Sequence, residues 1–252
     1  MTRHVNKAAI ASAFGRAATT YDSHAQLQRE SGTLLANRLA GRHISSVLDA
    51  GCGTGWYSRL WREKGCHVTA LDLSPAMLKH AELHGCADRY LEGDIEAITL
   101  RDQKVSLAWS NLAVQWCSDL HNGLSELYRV TRAGGCVAFT TLAAGSLNEL
   151  HTAWRAVDEQ PHANQFLSFS QIQEACQNWH CSLQIHEITQ YFDSVLSAMQ
   201  SLKGTGATHL HDGRKASLMT RQQLQKLSLA WPQKEGQFPL TWQLVCGVIE
   251  RD

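Results

Sequence analysis

Asp49-Ala50-Gly51-Cys52-Gly53-Thr54-Gly55 is the stretch that decides the fold of this 252-residue chain. It follows a short apolar strand, Ser46-Val47-Leu48-Asp49, and precedes a predicted helix at about 56–64. Three glycines at alternate positions after a strand permit a tight turn and let a ligand approach the backbone closely. The stretch therefore predicts a ligand-binding loop at the carboxyl end of a strand.

Strands and helices alternate outward from this loop. Further strands are predicted at 68–72, 89–91, 105–110, 136–141, 183–192 and 241–249. Helices are predicted near 5–16, 24–40, 147–158 and 168–178. Another is expected to begin at Pro75 behind Ser74, and one with Leu120, Leu124, Leu127 and Val130 on one face is expected to stop at Gly134-Gly135. This alternation is typical of an α/β fold with a mostly parallel, seven-stranded sheet, helices on both faces and ligands at the carboxyl edge. The stretch 193–236 lacks a clear period and is expected to form an insertion over the sheet.

The overall composition excludes several broad classes. Hydrophobic residues make up 44% of the chain and charged residues 18%, a globular balance that argues against disorder. Basic and acidic residues number 23 each, so no overall field favours nucleic acid or an anionic membrane surface. No apolar run approaches the roughly 18 residues needed to span a bilayer. We expect one domain.

Cysteine and histidine usage favours a reducing compartment without a metal. The eight cysteines are scattered and form no Cys-x-x-Cys pair, so free thiols in the cytoplasm are expected. His209 and His211 lie one residue apart but lack a third ligand at a suitable spacing. No metal site is expected.

The glycine loop alone fits a dinucleotide, an adenosyl ligand or a plain structural turn. Position 56 is Trp, whereas the dinucleotide motif needs glycine there. Asp49 would repel a pyrophosphate but would attract the ammonium and sulfonium of S-adenosylmethionine. Asp72 ends the second strand, where a carboxylate accepts ribose hydroxyls. Asp94 follows the third strand and could accept from an adenine amine, with Ile95 against the ring.

Four segments resemble the class I S-adenosylmethionine-dependent methyltransferases. They are residues 47–55, 71–77, Gly93-Asp94-Ile95-Glu96 and 127–135. The resemblance implies the Rossmann-like class I fold with S-adenosylmethionine as cofactor. It implies cofactor contacts from Asp49, Gly51, Gly53, Gly55, Asp72, Leu73, Met77, Asp94, Ile95 and Asn111.

Further segments are similar to the malonyl-acyl-carrier-protein O-methyltransferases of biotin synthesis. They are Val5-Asn6-Lys7, residues 13–18 with Tyr21, Asn111-Leu112-Ala113-Val114-Gln115-Trp116-Cys117, and residues 139–142, 201–209 and 218–221. This resemblance implies methylation of the free carboxylate of a malonyl thioester, with malonyl-acyl-carrier protein as partner. One departure is Thr54, where many relatives have proline.

The methylation that this resemblance implies gives each segment of the chain an expected role. Residues 1–40 are expected to form a helical lid, 41–192 the cofactor-binding core, 193–236 an insertion that faces substrate and carrier, and 237–252 the final strand. A carboxylate is ionised near neutral pH and needs no general base. Candidate positioning residues are Tyr21 in the lid, Asn111 beside the methyl group, Trp116 as a wall against water, and Lys203 as a clamp.

Carrier proteins are acidic, so a basic docking face is expected. The candidates are Arg16, Arg155, Arg214, Lys215 and Arg221. Three alternatives stay open at this point: a C-methyltransferase of a small molecule such as a quinone precursor, a non-enzymatic domain that binds the adenosyl ligand or a carrier, and a nicotinamide dehydrogenase.

Overall fold

The structure, a computed structural model, describes residues 5–158, 160, 162–204 and 220–252. Two 3₁₀ turns, Ile95–Ala97 and Val114–Trp116, lie close to the ends of strands. The helices of the described residues are α1 (Lys7–Ala17), α2 (Tyr21–His24), α3 (Gln26–Asn37), α4 (Trp56–Glu63), α5 (Pro75–Leu83), α6 (Leu120–Val130), α7 (Asn148–Arg155), α8 (Phe169–Ala175), α9 (Val195–Gly204) and α10 (Arg221–Ala230).

The strands form one sheet with seven members in the described residues, in the order β3-β2-β1-β4-β5-β7-β6. All adjacent pairs from β3 to β5 are parallel, whereas β7 runs antiparallel to both β5 and β6. This arrangement confirms the predicted mostly parallel sheet. The strands are β1 (Ser46–Ala50), β2 (His67–Asp72), β3 (Arg89–Glu92), β4 (Val105–Ser110), β5 (Thr131–Leu142), β6 (Cys181–Phe192) and β7 (Phe238–Glu250).

Local sequence fixes the helix starts that surround the site. The Ser74 hydroxyl accepts a hydrogen bond from the Met77 N–H, and Pro75 occupies the first turn of α5, as the sequence predicts. The Asp119 carboxylate caps α6 by accepting from the N–H groups of its first turn. Both caps place the helices directly behind the loops that leave the carboxyl ends of β2 and β4.

Two apolar clusters cover the two faces of the sheet. One contains Trp109, Leu107 and Leu35, and the other contains Phe139, Leu124 and Val245. Central strand β4 is buried along its whole length, as expected for a strand packed on both faces. This rigid centre carries the loops of the site.

The structure differs from the sequence-based expectation in two segments. The helix predicted at 24–40 is observed as α3 (Gln26–Asn37), which is separated from the short helix α2 at Ala25, where the backbone leaves the helical conformation. The Arg29 guanidinium donates to the Asp22 carbonyl at 2.8 Å and links the two helices. The described residues of 193–236 form helices α9 and α10: α9 packs on α2, β6 and β7, and α10 packs on α7 and α9.

Two absences hold for the described ranges only. No helix within them is long and apolar enough to cross a membrane. No group of three His, Cys, Asp or Glu side chains within them is arranged to hold a metal ion, and His209 and His211 lie outside the described residues.

Gly247→Ala tests the packing between β5 and β7. Gly247 lies opposite Phe139, and a Cβ atom added at Gly247 would overlap the ring of Phe139. We expect the free energy of unfolding to fall by about 1–3 kcal/mol in a urea titration. The double variant Gly247→Ala/Phe139→Leu should recover part of the loss, because the smaller side chain makes room for the methyl group. An unchanged midpoint in the single variant would contradict this packing.

Candidate active site

The glycine loop is held by the end of β2. The Leu71 carbonyl accepts hydrogen bonds from the N–H groups of Gly51 and Cys52, at 2.7 and 3.0 Å. The two oxygens of Asp72 accept from the N–H groups of Gly53 and Ser74, each at 2.8 Å. Asp72 therefore joins the loops that follow β1 and β2 and fixes the distance between them.

Gly51 is required by close approach as well as by backbone conformation. Its φ is 78°, in the left-handed region that favours glycine. A Cβ atom at this position would also overlap the Cβ atom of Ala113, which follows β4. The loop after β1 can therefore lie directly against the loop after β4.

A main cavity opens to solvent at this edge and encloses about 670 Å³, part of which is open solvent. Many of the predicted cofactor residues line it. They are Gly51, Gly53, Asp72, Leu73, Met77, Asp94, Ile95 and Asn111. Tyr21 and Trp116 also line it. The three sheet-edge loops thus meet around one cavity.

Asp49 lines a second, adjoining space, here called the Asp49 cavity, of about 440 Å³. Its carboxylate is 2% exposed and accepts a hydrogen bond from the Ser58 hydroxyl at 2.6 Å. Burial raises the pKa of Asp49 to about 7 against this hydrogen bond, and the negative charge of Asp72 adds to the rise. A cationic ligand group beside this buried carboxylate would stabilise its ionised form.

The main cavity and the Asp49 cavity share Tyr21, Gly51, Gly53 and Asn111 in their walls. A ligand can therefore extend from the Asp72 side to the Asp49 side across the glycine loop. At one end, the Asp72 carboxylate can accept hydrogen bonds from hydroxyl groups. At the other end, the Asp49 carboxylate can stabilise a cation. Together they suit an adenosyl group that carries a positively charged amino-acid tail.

Helix α1 closes one side of the main cavity through Lys7. The Lys7 ammonium pairs with Glu96 at 2.6 Å and with Asp94 at 3.1 Å. Burial would lower the pKa of Lys7, but the hydrogen bonds to Glu96 and Asp94 outweigh it and raise the pKa. Asp94 is therefore already engaged by the N-terminal helix, an interaction that the sequence-based role in adenine binding did not include.

Asn111 makes three hydrogen bonds within the protein. Its Oδ1 accepts from the hydroxyls of Ser31 and Thr140, both at 2.8 Å, and its Nδ2 donates to the Gln28 carbonyl at 2.8 Å. The side chain thus ties α3 to β4 and β5. In this arrangement Asn111 positions α3, and the Gln28 carbonyl uses one of the two N–H donors of its amide.

One wall of the main cavity consists of the aromatic side chains of Phe14, Tyr21 and Trp116. The same side chains also line a third space that adjoins the main cavity. The ring of Phe14 contacts Trp116 edge-on, with centroids 5.3 Å apart, and lies 6.5 Å from that of Tyr21. Burial, with the charges of Asp72 and Asp22, raises the pKa of Tyr21, so its phenol stays protonated. Tyr21 thus offers a hydroxyl donor at the junction.

Other candidates lie apart from this wall. Gly55 packs against α5, where an added Cβ atom would meet Cys86 at 2.6 Å, and it lines none of these cavities. Lys203 is exposed on α9. Arg16, Arg155 and Arg221 are also exposed. Arg214 and Lys215 lie outside the described residues.

The sequence reasoning missed several lining residues. Lys7, Ile10, Ala11 and Phe14 all line the main cavity, and their spacing places them on one face of α1. The spacing of these four residues could have predicted a helix with one face toward a ligand. Gln28 and Gln115 had no such signal, because a single glutamine in a helix or turn resembles any solvated residue.

Comparisons with known proteins fit this geometry. Residues 48–139 match a family model described as a methyltransferase domain. The malonyl-acyl-carrier-protein O-methyltransferase of Pseudescherichia vulneris is 57% identical over 98% of this chain and 99% of its own length. The protein of the same name from Salmonella typhimurium is 56% identical over the same shares.

The chain belongs to the malonyl-acyl-carrier-protein O-methyltransferase family.

Solved structures confirm the class I methyltransferase fold of this family member. The YcgJ protein from Bacillus subtilis superimposes with a TM-score of 0.62 at 16% identity, over 89% of this chain and 99% of that one. A geranyl diphosphate methyltransferase solved in complex with SAM gives a TM-score of 0.53 at 16% identity, over 89% and 85%. At these identities the likeness concerns the fold alone.

Asp49→Asn tests the charge state of the Asp49 cavity. The folded pKa of about 7 lies above the ordinary value of 3.8, so the folded chain binds more protons between these values and loses stability as pH rises. From pH 5 to pH 7 the unfolding free energy of the parent should fall relative to the variant by on the order of 2 kcal/mol. Urea titrations at both pH values check this.

Asp88→Asn is the matched control for this experiment. The hydrogen bond from the Val68 N–H lowers the pKa of Asp88, so its carboxylate is ionised in the folded and the unfolded chain across this range. Its stability difference from the parent should therefore not change between pH 5 and pH 7. Parallel curves for the parent and Asp49→Asn would show that Asp49 does not titrate there.

Proposed function

We propose that this chain transfers the methyl group of S-adenosylmethionine to the free carboxylate of a malonyl thioester on an acyl-carrier protein. The product is the malonyl methyl ester that primes pimeloyl synthesis for biotin. The observation that carries the proposal is the 57% identity to a malonyl-acyl-carrier-protein O-methyltransferase over nearly the whole of both chains. The other open alternatives, a C-methyltransferase of a quinone precursor among them, have no comparable support.

The cavities support the choice of methyl donor. When bound, S-adenosylmethionine supplies an electrophilic methyl group on a sulfonium. Asp72 would accept from ribose hydroxyls, and Ile95 and Met77 would pack against the apolar base. Asp49 would face the cationic amino-acid part, since its buried carboxylate lines the Asp49 cavity and is bonded by Ser58 alone among the described residues.

The transfer needs no proton movement by the protein. A carboxylate oxygen forms a bond to the methyl carbon as the bond from that carbon to sulfur breaks, and both reactant charges disappear. Because charge is lost, the step is favoured where water is excluded. Phe14, Tyr21 and Trp116 form an aromatic wall at the point where the two reactants would meet.

Alignment is the chain's second contribution. Holding the reacting atoms in line can contribute on the order of 7–11 kcal/mol. Asn111 fixes α3 to the sheet, and Lys7 fixes α1 to the loop after β3. We therefore propose that residues 1–40 act as a lid over 41–192, and that residues 193–236 with the final segment 237–252 complete the acceptor side.

We further propose that Arg16, Arg155, Arg214, Lys215 and Arg221 dock the acidic carrier. The exposure of Arg155 and Arg221, on the packed helices α7 and α10, supports this role. A cytoplasmic location is also proposed, supported by eight free cysteines, seven of them buried.

Incubation with S-adenosylmethionine and malonyl carrier protein tests the proposed reaction. We expect mass spectrometry to show one added methyl group on the acyl chain, and no methylation of a quinone precursor under the same conditions. Boiled enzyme is the control. Methylation of the quinone precursor without turnover of the malonyl thioester would favour the C-methyltransferase.

Reversal of two charges tests carrier docking. Arg155→Glu/Arg221→Glu should raise the KM for malonyl carrier protein several-fold at low salt, because it puts like charges at the interface. The effect should shrink as ionic strength rises. S-malonyl-N-acetylcysteamine lacks the carrier and should show an unchanged KM. Equal changes for the two substrates would contradict docking through these arginines.

A further inference from the structure

A third space, here called the glutamine cavity, adjoins the main cavity on the far side of the aromatic wall. It measures about 490 Å³ and shares Phe14, Tyr21, Leu112 and Trp116 with the main cavity. Helix α9 contributes Ser201 and Leu202, and β7 contributes Trp242. The glutamine cavity therefore meets the main cavity where a methyl group would pass from donor to acceptor.

The described residues that line the glutamine cavity include no Lys, Arg, Asp or Glu. Its polar side chains are mostly neutral amides, from Gln28, Gln115 and Gln190. Its titratable side chains are the buried phenol of Tyr21 and the exposed imidazole of His24. A carboxylate that enters this space would meet uncharged hydrogen-bond donors.

Among the three glutamines that line the glutamine cavity, Gln115 is the nearest in sequence to the end of β4. Its Oε1 is buried without a hydrogen-bond partner among the described residues. A ligand that enters the cavity can satisfy such an amide. The side-chain O and N of an amide are interchangeable by rotation, so Gln115 can present its NH₂ group.

The backbone presents Gln115 rigidly. Leu112 takes a left-handed conformation with φ of 51°, and its N–H donates to the Thr140 hydroxyl at 2.8 Å. The 3₁₀ turn that follows is closed by the Trp116 N–H donating to the Ala113 carbonyl at 3.0 Å. This left-handed, hydrogen-bonded turn carries residue 115, which lines the glutamine cavity, and backbone strain of this kind clusters at functional sites.

We infer that the glutamine cavity binds the malonyl end of the acceptor, and that Gln115 donates an N–H to its free carboxylate. The inference rests on the proposed function and assigns a positioning and specificity role to a residue outside the cofactor motifs. It also replaces Lys203, which is exposed on α9, as the group that holds the carboxylate.

A neutral clamp suits this reaction better than a cation. The negative charge of the carboxylate disappears as the methyl group arrives, so a Lys or Arg partner would stabilise the reactant more than the transition state. An amide N–H also orients the oxygen, and its hydrogen bond loses less binding free energy than an ion pair would when the negative charge disappears. The clamp therefore raises affinity without a large rise in the barrier.

Gln28 supports a second contact to the substrate carboxylate, which the Tyr21 hydroxyl makes. Both Gln28 and Tyr21 line the glutamine cavity, and against the rise caused by burial the Gln28 side chain lowers the pKa of Tyr21, as a donor to its hydroxyl does. The Gln28 Oε1 is buried without a partner among the described residues. Its backbone carbonyl is fixed by Asn111. The Tyr21 hydroxyl can thus accept from Gln28 and donate its proton to the second carboxylate oxygen, which makes Gln28 a positioning residue for Tyr21.

Two near-isosteric changes at Gln115 test the inference. Gln115→Glu replaces the donor by a like charge and should raise the KM for malonyl carrier protein by about tenfold or more, as loss of a hydrogen bond to a charged group does. Gln115→Lys should lower or keep the KM but reduce kcat by about tenfold, because the ion pair stabilises the reactant. Exposed Gln173 on α8 gives the control Gln173→Ala, with both constants unchanged.

Binding measurements separate this role from a structural one. Calorimetry with adenosylhomocysteine should give the parent Kd in both Gln115 variants, and their thermal midpoints should match the parent. Malonyl carrier protein added to that complex should bind more weakly to Gln115→Glu only. A wild-type enzyme that transfers no methyl group would refute the proposed function. An active wild type with unchanged KM in Gln115→Glu, or unchanged kcat in Gln115→Lys, would overturn the inference alone.

Discussion

The bridge that Asp72 makes between two backbone loops is the contact on which the rest of the site depends. By accepting from Gly53 on one side and Ser74 on the other, one carboxylate sets the glycine loop against the start of α5. Gly51 then lies directly beneath Ala113, which brings the end of β4 to the same edge. Because β1, β2 and β4 are adjacent parallel strands, these short links bring the loops together around one cavity.

The N-terminal helices complete the site from outside the sheet. Lys7 pairs with two acids after β3, and the Asn111 amide holds the Gln28 carbonyl of α3. Both contacts join residues far apart in sequence, and both involve groups that also face a cavity. The polar groups that hold α1 and α3 against the sheet are therefore among the groups that line the main cavity.

The sequence was sufficient for the sheet and for the cofactor edge, but less so for the acceptor side. The glycine loop, Asp72 and the Ser74–Pro75 helix start act through local chemistry, and each lies where the pattern predicts. Asn111 lines the main cavity as expected, but its hydrogen bonds to Ser31, Thr140 and Gln28 are set by tertiary packing. The role of Gln115 depends on a turn and on the absence of charged neighbours, neither of which a single sequence displays.

The proposed enzyme removes two opposite charges in a neutral, water-poor space, with no base and with alignment as its main contribution. Its proposed acceptor atom is a carboxylate oxygen. To test this assignment, methyl-labelled S-adenosylmethionine is incubated with malonyl carrier protein and the enzyme, and the product is hydrolysed in mild alkali. We expect the label to be released as methanol from an ester. Label retained on carbon after hydrolysis would show that the acceptor is not a carboxylate oxygen.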